Sequence, residues 1–415
     1  MTVGIRHDDL RRRNRAMVIA AIRRAGQPSR TEIAATTALS HSTISAISSD
    51  LISEGVLAEV KGGEVGVLKR GRPQVAISLN PAAASIVAVV LSLNSLSATL
   101  IDYAGTAIAE RSLKLPTLTI PLDQLIAEAV SAVVGLIAEH PASAGPVMRI
   151  VLAIQGITDS QSRWLLWSPI TPHSDVPFAD LLEQATGIPT RVENDCNMIA
   201  LALSSHDPER YRNDFIAILL SHGIGMGMVL RGELFTGTQS SGGEFGHMVH
   251  RPDGALCRCG RRGCVEAYAG NYAIWRNAQG LPEDTPPVAD VHDADIAALA
   301  DKARRGDGPA REAFRKAGEA LGFGLGSLFA LLDPAPVAMV GHGSLAFDLL
   351  EEPIREAIAM TAGGQHSKAI SFATEPNEIP LIKEGCAKRA LIFLDEQVFA
   401  PGTNGQNFGA GKDVV

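Results

Sequence analysis

One histidine and three cysteines lie close together in the chain, with the residue types and spacing of a metal site. His247 is followed by Cys257, Cys259 and Cys264. Zn²⁺ binds four nitrogen or sulfur ligands in a tetrahedron, and one histidine with three cysteines is a common closed structural set. Glycines among the ligands permit the sharp turns that a metal knuckle needs. This stretch predicts a structural zinc site; the alternative is a loop with scattered cysteines.

Carboxylates flank these ligands on both sides. Glu244 and Glu266 have no place in a metal site already filled by histidine and cysteine, so they are available to bind something else. Asn194 and Asp195 stand at the end of a predicted strand, where short polar residues either contact a ligand or cap a helix. A glycine-rich loop at 223–227 suits a phosphate or sugar site and suits a plain tight turn equally well.

The charge of the chain is divided unevenly between its two ends. The 415 residues carry a net charge of −8, yet the first 80 hold 12 Lys and Arg against 7 Asp and Glu. A basic head on an acidic body predicts that the head alone meets a polyanion. The sequence lacks a secretory signal and a membrane-spanning run, and Cys196 and Cys386 are expected to be buried free thiols. These features predict a cytoplasmic protein without a membrane partner.

The first 80 residues predict three short helices. The first covers residues 12–24, and Ser29 with Glu32 forms a capping box that begins the second. Ser40 caps a third helix, which ends near residue 54. In a helix-turn-helix motif the start of the third helix reaches base edges in the major groove. The residues expected to contact DNA there are Ser40, His41, Ser42, Thr43, Ser45 and Ala46.

Two short strands after the third helix predict a wing. They cover residues 56–60 and 75–79, and an Arg-Gly-Arg-Pro segment containing Arg70 and Arg72 lies between them. Such a segment is extended, cationic and slim enough for the narrow minor groove of A·T-rich DNA. The features predict a DNA-binding winged helix-turn-helix; the alternative is a small three-helix dimerisation domain with solvated charges.

The rest of the chain predicts an α/β body. Strands alternate with helices in two runs, which suggests two lobes around a cleft. The expected division is a head at 1–80, a body at 81–400 and a flexible tail at 401–415, with lobes of roughly 81–200 plus the C-terminal helix and 201–380.

These motifs together resemble the ROK family of repressors, open reading frames and sugar kinases. The resemblance rests on the head, on the glycine pattern from 223 to 246, and on the string Cys-x-Cys-Gly-x-x-Gly-Cys-x-Glu at 257–266. It implies a two-lobed, actin-like ATPase fold of the RNase H-like type, and a homodimer or homotetramer. It also implies that a sugar in the cleft is held by Asn194, Asp195, Glu244, His247 and Glu266.

Two features of the sequence favour a sensor over a kinase. The aspartate that serves as general base in the family's kinases is kept as Asp195, but their first phosphate loop is replaced at 91–97 by a segment without glycine or aspartate. Productive ATP binding needs such loops. The sequence therefore predicts a sugar-responsive transcriptional regulator, most simply a repressor of carbohydrate genes acting on an A·T-rich palindromic operator. The alternatives are an active zinc-containing sugar kinase with a regulatory head, and a regulator controlled by a protein partner.

The sugar itself is left open by the sequence. The segment at 168–173 replaces a Pro-Asn wall of the kinase pocket, so that side of the site differs. A sugar phosphate, an amino sugar, a pentose and an oligosaccharide all remain candidates.

Overall fold

A computed structural model describes residues 7–60, 75–140, 145–240, 242–288, 291–364 and 370–401. Arg70, Arg72 and the tail beyond residue 401 lie outside the described residues. No helix in the described part of the chain is both long enough and apolar enough to span a membrane.

The N-terminal head consists of three helices and a two-stranded antiparallel sheet. Ser29 caps the second helix through the predicted capping box, since its hydroxyl accepts from the Glu32 N–H and the Glu32 carboxylate accepts from the Ser29 N–H. The elements are α1 (His7–Ala25), α2 (Arg30–Thr37), α3 (His41–Ser53), β1 (Leu57–Val60) and β2 (Ala76–Leu79). The three predicted helices are confirmed, although α1 begins five residues earlier than expected.

The body contains two five-stranded sheets of the same topology. In each, three antiparallel strands form a meander and two further strands join in parallel through helical crossovers. The first sheet has the order β5-β4-β3-β6-β9 and the second the order β12-β11-β10-β13-β14. The strands of the first sheet are β3 (Ser85–Ser92), β4 (Ser95–Asp102), β5 (Ala107–Lys114), β6 (Val147–Ile154) and β9 (Thr190–Asn194). Those of the second sheet are β10 (Phe215–Leu220), β11 (Ile224–Leu230), β12 (Glu233–Phe235), β13 (Val337–Val340) and β14 (Phe372–Glu375). A separate hairpin consists of β7 (Ile157–Thr158) and β8 (Leu165–Trp167).

Helices cover the sheets and connect their parallel strands. They are α4 (Leu122–Glu139), α5 (Phe178–Thr186), α6 (Asp195–His206), α7 (Pro208–Tyr211), α8 (Glu266–Ala269), α9 (Asn271–Ala278), α10 (Asp293–Arg304), α11 (Gly308–Leu332), α12 (Phe347–Ala359) and α13 (Glu378–Phe393). Residues 394–399 continue α13 as a turn of π-helix. The α/β fold expected from the alternating pattern is therefore present.

Helix α6 lies between the two sheets. It begins where β9 ends, packs against α13 on one side and lies against β11 of the second sheet on the other. Glycines on β11 permit this contact, because a Cβ at Gly227 would lie 2.0 Å from the Cys196 carbonyl oxygen. The N-terminus of α6 is thereby held at the edge of both sheets, where the cleft opens.

Candidate functional site

The five residues that the sequence predicts for sugar binding line one cleft. The cleft encloses about 570 Å³ of space open to solvent. The predicted residues come from three separate segments, namely the β9–α6 junction, the turn after β12 and the start of α8. The structure brings together Asn194, Asp195, Glu244, His247 and Glu266.

Asn194 and Asp195 serve local structure as well as lining the cleft. The Asn194 Oδ1 atom accepts from the Asn197 N–H at 3.0 Å, which caps α6, and its Nδ2 atom donates to the Gly156 carbonyl at 2.8 Å. Both alternatives for this pair, ligand contact and helix cap, are thus compatible with its position. Burial raises the pKa of Asp195 to about 6, and the nearby charge of Glu244 adds to the rise.

Glu266 connects the cleft to the cysteine cluster. Its side chain is buried; Oε2 accepts from the Ile224 N–H at 3.1 Å and Oε1 accepts from the Tyr272 hydroxyl at 3.3 Å. The same Oε1 atom lies 3.7 Å from the Cys257 sulfur. A side chain at Gly223 would collide with this carboxylate, since a Cβ there would be 2.7 Å from Oε2. Glu266 is therefore held by β11 on one side and, on the other, by the segment Cys257–Cys264, called the knuckle below.

His247 presents its two ring nitrogens to different groups. Nδ1 lies 3.8 Å from the Cys257 sulfur, and Nε2 lies 3.9 Å from a carboxylate oxygen of Glu244. Burial raises the pKa of Glu244, an effect opposed by the charge of His247 and reinforced by that of Glu266. The imidazole therefore stands between the thiols and the cleft.

The four predicted metal ligands meet at one point. Their ligand atoms all lie within 4.8 Å of one another. The sulfurs of Cys259 and Cys264 are 3.8 Å apart. A tetrahedral site with Zn–S bonds of about 2.3 Å separates two sulfur ligands by the same distance, about 3.8 Å. Gly263 shapes the knuckle with a φ of 77°, and a Cβ there would lie 1.8 Å from the Arg251 carbonyl oxygen. The donor set and its spacing fit Zn²⁺.

Several residues of the cleft were not predicted from the sequence. The Trp167 ring meets that of His247 edge to face, with centroids 5.9 Å apart. Trp167 is the last residue of β8 and directly precedes the 168–173 segment, which replaces a wall of the kinase pocket. Its position beside that segment was the one signal in the sequence that Trp167 lines the cleft. The additional polar lining residues are Gln155, Asn197 and Ser240. Among the described lining residues there are three carboxylates and no lysine or arginine.

The predicted DNA-contact residues divide by exposure. Helix α3 buries Ile44, Ile47 and Leu51, so its opposite face is turned to solvent. The Ser40 hydroxyl accepts from the Thr43 N–H at 3.1 Å and caps the helix. The residues of the predicted set that are exposed are Ser40, His41, Ser42, Ser45 and Ala46, while Thr43 is partly buried.

The chain matches the ROK family over residues 87–377, which is well over half of its length, and the protein belongs to this family. The cysteine knuckle, the cleft and nearly all of the two five-stranded sheets lie in that part of the chain. The resemblance predicted from the motifs is therefore confirmed.

Named relatives include both regulators and kinases. The chain is similar to the xylose repressor of Caldicellulosiruptor bescii, at 25% identity over 401 residues that cover 94% of this chain and 97% of the relative. It is similar to the glucokinase of Streptomyces coelicolor at 29% identity over 275 residues, 63% of this chain and 83% of the relative. A solved ROK family transcriptional regulator, a homolog of the Escherichia coli MLC protein, shares the fold with a TM-score of 0.78 at 21% identity, covering 94% and 99% of the two chains.

The length of the repressor match is informative. Its 401 aligned residues exceed the part of the chain that follows residue 80, so the similarity extends into the head.

Proposed function

We propose that the protein is a sugar-responsive DNA-binding transcriptional regulator that acts in the cytoplasm as a repressor of carbohydrate uptake or catabolism genes. One observation carries the proposal: the same chain contains a three-helix head with an exposed polar helix face and a cleft lined by five side chains that can hydrogen-bond sugar hydroxyls. Similarity to a repressor over the head as well as the body supports it.

The head, residues 1–80, is proposed to be a winged helix-turn-helix. Its third helix would enter the major groove, and Arg70 and Arg72 would enter the adjacent minor groove of an A·T-rich palindromic operator. Two recognition helices must stand about 34 Å apart to read two half-sites, so a homodimer or homotetramer is the proposed assembly. Genomic DNA pulled down with the protein tests this proposal; enrichment of promoters beside carbohydrate genes supports it, and DNA enriched without sequence preference contradicts it.

The cleft is proposed to bind an uncharged or amino sugar. Three carboxylates can accept hydrogen bonds from vicinal hydroxyls, and Trp167 offers an apolar ring face. The same three carboxylates, without a lysine or arginine among the described lining residues, would repel a sugar phosphate. A thermal-shift panel of neutral, amino and phosphorylated sugars separates these classes, because a ligand of the folded state raises the melting temperature.

Sugar binding is expected to weaken in acid. The Asp195 carboxylate accepts stronger hydroxyl hydrogen bonds when ionised, and its pKa of about 6 lies well above the ordinary value of 3.8. Affinity should be constant above about pH 7 and weaker at pH 5, by up to about tenfold, the limit for one group with that pKa. Titration calorimetry at both pH values measures the effect. Asp195→Asn should bind weakly with the same affinity at both values, and a persisting tenfold fall in this variant would assign the titration elsewhere.

Zn²⁺ held by His247, Cys257, Cys259 and Cys264 is the proposed cofactor. It would supply structural cross-linking, since four protein ligands leave no position open for substrate. His247 and Glu266 would then be oriented by the knuckle for contacts with the sugar. This arrangement links metal content to sugar recognition.

Kinase activity is proposed to be absent. The β3–β4 turn carries Leu93 and Asn94 where phosphate loops need glycines, and the Glu378 carboxylate accepts from the Ser221 hydroxyl at 3.2 Å in the β10–β11 turn. A carboxylate at that position would repel ATP phosphates. An ATP-dependent phosphorylation assay over a sugar panel tests the point. Turnover with any sugar would favour the kinase alternative, for which the retained Asp195 is the supporting feature.

Arg72→Ala is expected to weaken binding to operators with A·T-rich flanks by about 1–3 kcal/mol, the usual value of a specific groove contact. Binding to the same operator core with G·C flanks should change less. Fluorescence anisotropy on the two DNA duplexes measures the difference. Arg13→Ala removes the same charge from the exposed surface of α1 and serves as the control. Equal losses on both duplexes would assign Arg72 to a phosphate contact alone.

A further inference from the structure

A group of three arginines lies at the end of the first sheet that is remote from the sugar cleft. Arg149 is near the start of β6, Arg191 is near the start of β9, and Arg389 is on the face of α13 that packs against them. Strand rise places this group about 10–15 Å from the Asn194 end of the same strands. The three residues are called the arginine cluster below.

Arg149 has a buried N–H group without a hydrogen-bond partner. Only 8% of the residue is exposed, and its Nε–H donates to no group among the described residues. It stacks on the Phe393 ring, with 3.6 Å between the guanidinium carbon and the ring centroid. Stacking stabilises the face of the cation but does not satisfy the buried Nε–H donor. Burial, and then the charge of Arg191, lowers the pKa of Arg149 to about 10.

The carboxylates near Arg149 are already engaged with other arginines. A single oxygen of Glu193 accepts from the Nε atoms of Arg191 at 3.0 Å and Arg389 at 3.1 Å. Both oxygens of Glu183 accept from Arg163, and one of them also accepts from the Thr190 N–H. Asp180 also accepts from Arg163, so four arginines face three carboxylates and one positive charge is in excess. Arg389, whose side chain is 40% exposed, opens the cluster to solvent.

We propose that the arginine cluster is a second ligand site, which binds a phosphate-type oxyanion between Arg149, Arg191 and Arg389. Planar guanidinium groups with free N–H donors match the tetrahedral oxygens of phosphate. The site is separate from the sugar cleft, whose lining is acidic. Its ligand is either inorganic phosphate or the phosphate group of a phosphorylated metabolite.

Calorimetric titration of the full chain with inorganic phosphate and with glycerol 3-phosphate, at constant ionic strength, tests the site. Arg149→Met keeps an unbranched chain over Phe393 and should weaken binding at least about tenfold, as for loss of one charge-assisted contact. Arg315→Met removes an exposed arginine of α11 and should leave binding unchanged. Tighter binding of glycerol 3-phosphate would identify a phosphorylated metabolite, and equal binding the free anion.

Stability without ligand gives a second readout. Because Arg149→Met removes an uncompensated buried charge, it should raise the melting temperature in phosphate-free buffer, whereas loss of a purely structural arginine would lower it. Arg149→Lys keeps the charge without the planar donors and should also bind phosphate more weakly. Absence of phosphate binding by the wild type, or equal binding by Arg149→Met, would overturn the proposal.

Discussion

Cys259→Ser is expected to remove zinc from the protein and abolish its response to sugar. Three ligands would remain, and a structural site of this kind contributes its binding free energy directly to local folding. The knuckle from Cys257 to Cys264 contains little regular structure of its own, being held by two isolated bridges and short turns. Metal analysis should fall from about one zinc per chain to near zero. Operator release by sugar should fail, while operator binding itself persists.

Cys386→Ala provides the matched control. It removes a thiol as well, but a buried one on α13 and outside the metal cluster, so zinc content and sugar response should be retained. Two results would contradict the zinc proposal. One is a wild-type protein purified without metal, and the other is a Cys259→Ser variant that keeps both its zinc and its sugar response.

The geometry of the knuckle explains why loss of metal should be felt by the sugar. His247 faces the thiols with one nitrogen and Glu244 with the other, and Glu266 lies against Cys257 while it accepts from the Ile224 N–H. Sugar hydroxyls need acceptors in fixed positions, because each flexible side chain that must be ordered on binding reduces the affinity. The zinc site is thus proposed to act through the sugar-binding residues rather than on a reacting bond.

Local features of the structure were readable from the sequence. The capping box at Ser29 and Glu32 involves residues three apart, and the α3 cap at Ser40 likewise uses its own neighbours. The metal ligands were predictable because their types are rare and their spacing short. The strand Val337–Val340 is readable for a different reason, since its short apolar run is bounded by proline and glycine.

Long-range contacts were not readable in the same way. Trp167 and Gln155 reach the cleft through the positions of β8 and the end of β6, which depend on sheet order rather than on any local pattern. The arginine cluster draws its members from β6, β9 and α13, and its Arg389 bonds Glu193 across 196 residues of sequence. Such juxtapositions follow from the tertiary fold.

A continuous core joins the head to the first sheet. Val18 and Ile44 of the head belong to the same buried cluster as Ile86 of β3 and Cys386 of α13. Helix α6 begins at the cleft and packs on α13, whose continuation at 394–399 contacts α1. We infer that sugar binding at Asp195 is transmitted to the head through these packed helices. The helices would have two alternative arrangements, and the sugar would favour one of them.

Arg15→Met is expected to break this connection at its last step. Arg15 is 1% exposed; it pairs with both carboxylate oxygens of Glu54, at the end of α3, and donates to the Phe399 carbonyl at 2.9 Å. Glu54 is only partly buried, with its side chain 16% exposed, so losing its partner costs about 1.5–3 kcal/mol, the usual value of hydrogen bonds to a charged group. The free energy of unfolding, measured by urea denaturation, should fall by that amount. The ratio of operator affinities without and with sugar should fall toward one.

Arg11→Met is a control from the same pair of helices. Arg11 pairs with Asp50 one turn before Arg15 pairs with Glu54, but its side chain is 57% exposed and has no bond to residues 394–399. Exposed pairs of this kind contribute about 0–1 kcal/mol, so stability and sugar response should both be nearly unchanged. If the two variants lost the same stability, burial of Arg15 would not be the cause. If Arg15→Met kept its full sugar response, transmission through Arg15 would be refuted, because Arg15 bonds both Glu54 at the end of α3 and Phe399. Arg12 and Arg23 of α1 would still bond residues 395–397 in that variant.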